Sequence, residues 1–466
     1  MIDEVRTMLR ERSPRPFLVG GRWTLGRDAT TGDVIDPSTG ERIATVALGV
    51  PDDVDDAVRV ARDASRGWAA TPGADRATVL RRLADAVAAA SGEIGVLESL
   101  NVGKPVADAV GFDIPFACEA FRYFASVAEE GPRRDELALD GLDASMRYVP
   151  RGVCGFIVPW NAPVLLTSWG IAPALAAGNA VVVKPAEATP LSTLRIAEIA
   201  LEVGPPARRA QRRSGARAGR RCRPRRQYWD RHDLLHGSPR VGREIAQTAA
   251  ARLVPSKLEL GGKGAAVVFD DVDVTATARK LAVAVTLNAR QVCCTATRWL
   301  VHEAVVDRLV AAASKALTEL RIGPGEDERT QLGPVASRVQ LDRVLGYQEK
   351  GLAEGARFLL EGGRAEVPGH DGGFYVRPAI MTGPPDNVCA QEEIFGPVAY
   401  VIPFRTEDEA VAIVNASDYG LANSVWSADL ERARRVAERL VSGSTWINAH
   451  NVFAYGLPYG GVNRNG

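Results

Sequence analysis

Two adjacent cysteines, Cys293 and Cys294, stand between a stretch with helical apolar spacing (274–287) and a strand-like run (299–302). A thiolate attacks a carbonyl carbon far better than a hydroxyl does, and a helix terminus or a nearby cation lowers a thiol's pKa. Cys293 is therefore a candidate nucleophile. The plain alternatives are a buried apolar cysteine or a disulfide with Cys294, and on this fragment alone they are favoured. Glu259 sits between Leu258 and Leu260 beside a glycine pair, Gly261-Gly262. A carboxylate desolvated there would rise in pKa toward general-base use. An exposed acid on a strand edge is about as good a reading.

Two further clusters suit a nucleotide. Lys184-Pro185-Ala186-Glu187 follows a short apolar run and precedes a helix, which is where open α/β sheets bind ligands. Gly237-Ser238 precedes another helix, whose first amides suit a pyrophosphate. Each is otherwise an ordinary turn.

The elements that must carry these residues alternate. Helical spacing covers 52–70 and 76–90, and 153–158 reads as a buried strand. A helix over 165–176 and a strand over 180–183 follow. Thr189 as N-cap and Pro190 at the first position open a helix to Gly204. Strands near 258–260, 265–269, 299–302 and 400–403 alternate with helices over 274–287, to Leu320 and to Ala416. That is the grammar of parallel sheets covered by helices.

Bulk properties agree. A chain of 466 residues calls for two or three domains, and 57 basic against 57 acidic residues point to neither nucleic acid nor membrane as partner. The N-terminus lacks the apolar core of a secretory signal, and six cysteines are no disulfide framework, so the cytoplasm is expected.

Residues 205–236 break the pattern, with eleven arginines, two acids and no Val, Ile, Phe or Met. A basic loop or a nucleic-acid-binding insert are the direct readings. Neither suits a sheet that needs another buried strand about here. Entered at the second base of each codon, 206–213 can encode Pro-Arg-Gly-Val-Leu-Asn-Val-Val, and 233–236 can encode Ile-Ser-Phe-Thr. Both are sensible strands, so the segment reads as frame-shifted, and as written it is expected to leave the sheet.

From Phe17 onward the chain resembles the NAD(P)-dependent aldehyde dehydrogenase superfamily. Seven pieces stand in the family's order: Pro159-Trp160-Asn161, Lys184-Pro185-Ala186-Glu187, Gly237-Ser238, Leu258-Glu259-Leu260-Gly261-Gly262-Lys263, Gln291-Val292-Cys293, Glu392-Glu393-Ile394-Phe395-Gly396-Pro397 and Pro458-Tyr459-Gly460-Gly461. The resemblance implies an α/β fold with a Rossmann-type cofactor domain (1–127 and 150–258), an oligomerisation hairpin (128–149), a catalytic α/β domain (259–447) and the start of a C-terminal segment (448–466). It implies oxidation of a small-molecule aldehyde to an acid, with Cys293 as nucleophile, Glu259 activating water, and Asn161 with the Cys293 N–H as oxyanion donors. Lys184, Glu187, Trp160, Gly237, Ser238, Glu393 and Phe395 would hold the cofactor, with Glu187 favouring NAD over NADP. Leu166, Trp169, Val292 and Phe453 match aldehyde-tunnel positions. No metal is implied. A homodimer or homotetramer is expected were the C-terminus complete, since the family continues past Gly466. Arg290 stands where the family usually has glycine. The alternative expectation is a relative impaired by 205–236.

Overall fold

The computed structural model describes every residue except 132–133, 141, 205–231 and 466. Two parallel sheets organise the chain. The first has four strands in the order Ser256–Leu260, His232–Gly237, Val153–Ile157, Ala180–Lys184. The second has seven, in the order Arg357–Leu360, Ala379–Thr382, Val398–Phe404, Ala296–His302, Gly264–Val268, Ala422–Trp426, Ser444–Ile447. Only Arg357–Leu360 runs antiparallel to its neighbour in that sheet. The interior strand Gly264–Val268 is buried at every position, as expected for a parallel strand covered on both faces.

The chain passes from the first sheet to the second through Gly261-Gly262-Lys263, so Glu259 lies at the seam. Helix Val274–Thr286, N-capped by Asp273 accepting from the Ala276 N–H at 3.0 Å, then leads to the cysteine turn. The strands and helices expected at 153–158, 165–176, 180–183 and 274–287 occur within a few residues of those bounds. A hairpin, Arg134–Leu139 with Leu142–Arg147, lies within 128–149.

Two expectations change. Helix Leu191–Val203 starts one residue late, with Pro190 at the N-cap and no side-chain cap bond of its own. The cap is tertiary: Asn101 Oδ1 accepts from the Leu191 N–H at 3.0 Å and Asn101 Nδ2 donates to the Ala188 carbonyl at 2.9 Å. The Thr189 hydroxyl is buried without a partner.

The second change concerns the arginine-rich segment. Its end does not leave the sheet: His232–Gly237 pairs in parallel with both Val153–Ile157 and Ser256–Leu260. Hydrogen bonding of the backbone on two sides outweighs poor side chains. The cost is visible, since Asp233 is buried with Oδ1 unpartnered, and desolvation pushes its carboxyl up to about 6. Residues 205–231, where the first recoded strand would fall, lie outside the described residues. Among the described residues Ala180–Lys184 is an edge strand. Beside it lies an apolar cavity of about 470 Å³, lined among others by Leu18, Val60, Trp68, Val181, Val183 and Ile196.

Candidate active site

The cysteine turn is strained and firmly held. Asn288, Ala289 and Arg290 have φ of 51°, 51° and 61°, the left-handed region that non-glycine residues avoid. Asn288 Nδ2 donates to the Asn161 carbonyl at 2.7 Å, and Asn161 Nδ2 donates to the Gln291 carbonyl at 2.8 Å. Gln291 Nε2 donates to the Asn288 carbonyl at 3.0 Å, while its Oε1 accepts from the Ala336 N–H at 2.9 Å. This network ties the cysteine turn to Asn161, whose amide retains a second hydrogen.

Cys293 and Cys294 are both free thiols, so no vicinal disulfide forms. Cys294 is buried and donates to Asn451 Oδ1 at 3.3 Å. Cys293 is partly accessible, and its Sγ lies 3.9 Å from Tyr459 Oη. Its contact with Cys294 and its burial push the Cys293 thiol up.

Cys293, Glu259 and Asn161 line one cleft of about 280 Å³. Trp160, Leu166, Gly237, Ser238, Glu393 and Phe395 line it as well. Glu259 is 5% exposed. Burial raises its pKa against the pull of Lys257, whose Nζ is 3.1 Å from Oε1, and Oε2 has no partner. A carboxyl poised above its ordinary range beside a thiol suits proton abstraction from water.

Glu393 is held from two sides. Its Oε1 accepts from the Gly262 N–H at 2.8 Å, and a Cβ on Gly261 would stand 2.0 Å from Oε2 and push this carboxylate aside. Phe395 packs edge-on against Trp160 at 5.3 Å, and Gln340 Nε2 donates to the Phe395 carbonyl at 2.7 Å. At the other end of the cleft, Ser238 N-caps helix Pro239–Ala250 by accepting from the Val241 N–H at 3.4 Å. Lys184 and Glu187 form a half-exposed ion pair of 2.6 Å at the end of the edge strand, outside the cleft lining. A helix N-terminus and a glycine-cradled carboxylate in one cleft are donors and acceptors of the kind a nicotinamide dinucleotide needs.

A second cavity of about 460 Å³ meets the cleft at Glu259 and His236, which line both. Trp169, Phe453, Trp446, Tyr455 and Tyr459 form much of its wall. Trp169 and Phe453 meet edge-on at 5.6 Å, and Trp169 Nε1 donates to Tyr455 Oη at 2.8 Å. Of the four expected tunnel residues, Trp169 and Phe453 line this cavity, Leu166 faces the cleft, and Val292 packs with Cys293, Trp446 and Tyr459.

Sequence reasoning did not assign roles to Asn288, Gln291, Tyr459 or His236. Gln291 and Tyr459 lay inside matching pieces, which was a usable signal. His236 pairs with Glu259 across the strands, and burial pushes its imidazole down to about 4.

Comparison with known proteins decides the family, because the aldehyde dehydrogenase family model matches residues 23–466. The chain belongs to the aldehyde dehydrogenase family. This aldehyde dehydrogenase is 37% identical over 445 residues to a betaine aldehyde dehydrogenase of Sinorhizobium fredii (strain NBRC 101917 / NGR234), covering 94% of this chain and 90% of that one. Its structure is similar to HpcC from Thermus thermophilus, with TM-score 0.92, 33% identity, and 100% and 91% of the two chains covered. It is likewise similar to betaine aldehyde dehydrogenase from Staphylococcus aureus in complex with NAD+, with TM-score 0.90, 29% identity, and 100% and 93% covered. It is thus an aldehyde-oxidising oxidoreductase of mixed α/β fold that works with a nicotinamide cofactor. No helix among the described residues is long and apolar enough to cross a membrane.

Proposed function

We propose that this aldehyde dehydrogenase oxidises an aldehyde to its carboxylic acid with NAD, through a covalent adduct on Cys293. One observation carries the reading: Cys293, Glu259 and Asn161 line the same cleft, and Glu259 also lines the aromatic cavity. Cys293 Sγ adds to the carbonyl carbon and forms a thiohemiacetal. The free hydrogen of the Asn161 amide and the Cys293 N–H stabilise the oxyanion. NAD, when bound, would supply the hydride acceptor that lets the thiohemiacetal become a thioester on Cys293. Glu259 then takes a proton from water, which attacks the thioester and frees the acid.

Gly237, Ser238 and helix Pro239–Ala250 would hold the pyrophosphate, Glu393 the nicotinamide ribose, and Trp160 with Phe395 the wall beside it. Lys184 and Glu187 would hold the adenosine ribose, and the Glu187 carboxylate would repel the extra phosphate of NADP. Replacing Cys293 by Ala should abolish NADH formation, and persistence of turnover would refute the reading.

The substrate we assign is an apolar or aromatic aldehyde, because aromatic rings line most of the cavity. A cationic aldehyde is the second reading, supported by those same π faces and by the named relatives. Lys257 lines the same cavity, but it is paired at 3.1 Å with Glu259, so the two charges offset there.

A further inference from the structure

Arg290 is one of the largest fully buried side chains of the described residues, at 0% exposure. Its Nη2 donates to Thr297 Oγ1 at 3.2 Å, but Nε and Nη1 have no partner. No carboxylate among the described residues lies within ion-pairing distance of it, and its guanidinium stands 5.9 Å from the Phe395 ring. Burying a cation without an ion pair costs several kcal/mol. Its φ of 61°, left-handed on a non-glycine residue, adds backbone strain. Both costs fall on one residue, three positions before Cys293.

Two groups near it are anionic when they function. Glu393 bonds to the Gly262 N–H and lines the same cleft as Cys293, the other. A carboxylate this near opposes a thiolate, so the pair needs a counter-charge. Arg290 interacts electrostatically with Glu393 first, then with Cys293, Cys294 and Tyr419. Two other buried cations, Arg298 and Lys263, are placed differently. Arg298 donates to the carbonyls of Lys263, Ile413 and Val414. Lys263, with Nζ unpartnered, is pushed toward its neutral form by burial and by Arg290 itself. Cys294, Glu393 and Tyr459 act most strongly on the Cys293 thiol, while Arg290 interacts with Glu393 and with both cysteines.

Resting on the reading of Cys293 as nucleophile, we propose that Arg290 is a positioning residue whose buried guanidinium is the counter-charge that lets Cys293 ionise beside Glu393.

The test is the pH profile of Cys293 alkylation by iodoacetamide in the full chain without cofactor, with peptide mass spectrometry separating Cys293 from Cys294. Arg290→Met keeps bulk and loses charge, Arg290→Lys keeps charge, and Arg290→Gly loses charge but suits the backbone. Met and Gly should move the midpoint up by about one unit, making alkylation at neutral pH about tenfold slower. Lys should stay within about twofold of wild type. If Arg290→Met does not fold, the glycine variant carries the comparison. An unchanged midpoint in the uncharged variants, or a lysine variant as slow as they are, overturns the proposal. The underlying reading fails separately, through NADH formation that survives Cys293→Ala.

Discussion

Replacing Asp233 by Ile, the residue that the shifted frame encodes, should stabilise the protein, and more so as pH rises. Asp233 lies in the interior strand His232–Gly237, is 5% exposed, and leaves Oδ1 unpartnered. Desolvation holds its carboxyl at about 6 against a partial offset from Arg252, whereas an unfolded Asp titrates near about 3.9. A carboxyl whose folded pKa is raised helps stability fully below the unfolded value, and that help is lost as pH rises through about 6. Two units correspond to about 3 kcal/mol, which we discount to about 2 kcal/mol because the strand end stays near polar groups. Burying an Ile side chain there adds about 2 kcal/mol. The variant should therefore gain about 4 kcal/mol at about pH 8 and about 3 kcal/mol at about pH 5. For a unit of this size that is a rise in melting midpoint of roughly 5 °C at the higher pH. The assay is circular-dichroism melting of both proteins at the two pH values. A gain that does not depend on pH, or a loss of stability, would refute the desolvation argument.

Four further outcomes are expected. Cys293→Ala should abolish NADH formation while Cys294→Ala should not, and equal loss from both would sink the nucleophile assignment. Glu259→Gln should keep a single-turnover burst of NADH but lose about 10²–10⁴-fold in steady turnover, because the thioester persists. The wild-type acid limb should lie above the ordinary glutamate range, with activity lost as pH falls through the raised pKa. Lys257→Met should move that limb higher, and burst and steady rates both near wild type in Glu259→Gln would exclude it as the base. Phenylacetaldehyde should beat betaine aldehyde in kcat/KM in direct competition, and the reverse order would support the cationic reading. A chain recoded over 205–236 in the shifted frame should bind NAD more tightly and resist trypsin there, as measured by titration and a digestion time course. Equal NAD affinity in both chains would make the segment a tolerated insert.

Much of this molecule is written in local sequence. The apolar run ending at Val158 and the helical spacing of 274–287 specify their elements because burial follows period and length. The ordered pieces around Asn161, Glu259, Cys293 and Glu393 named the candidate site, and the fold brings those four residues into one cleft. Other features had no local signal. The cap on helix Leu191–Val203 comes from Asn101, ninety residues away, which no local reading could supply. Strand His232–Gly237 survives its polar side chains because neighbours on both sides take its backbone hydrogen bonds. Arg290 looked like a charge near a cysteine, but only the packing decided that its guanidinium is sealed from water, close to Glu393 and Cys293, and short of partners. Sequence determines which groups are available for chemistry. Their dielectric surroundings, and hence which of them are charged, come from residues distant in the chain and exist only once the two sheets have closed on the seam at Gly261-Gly262.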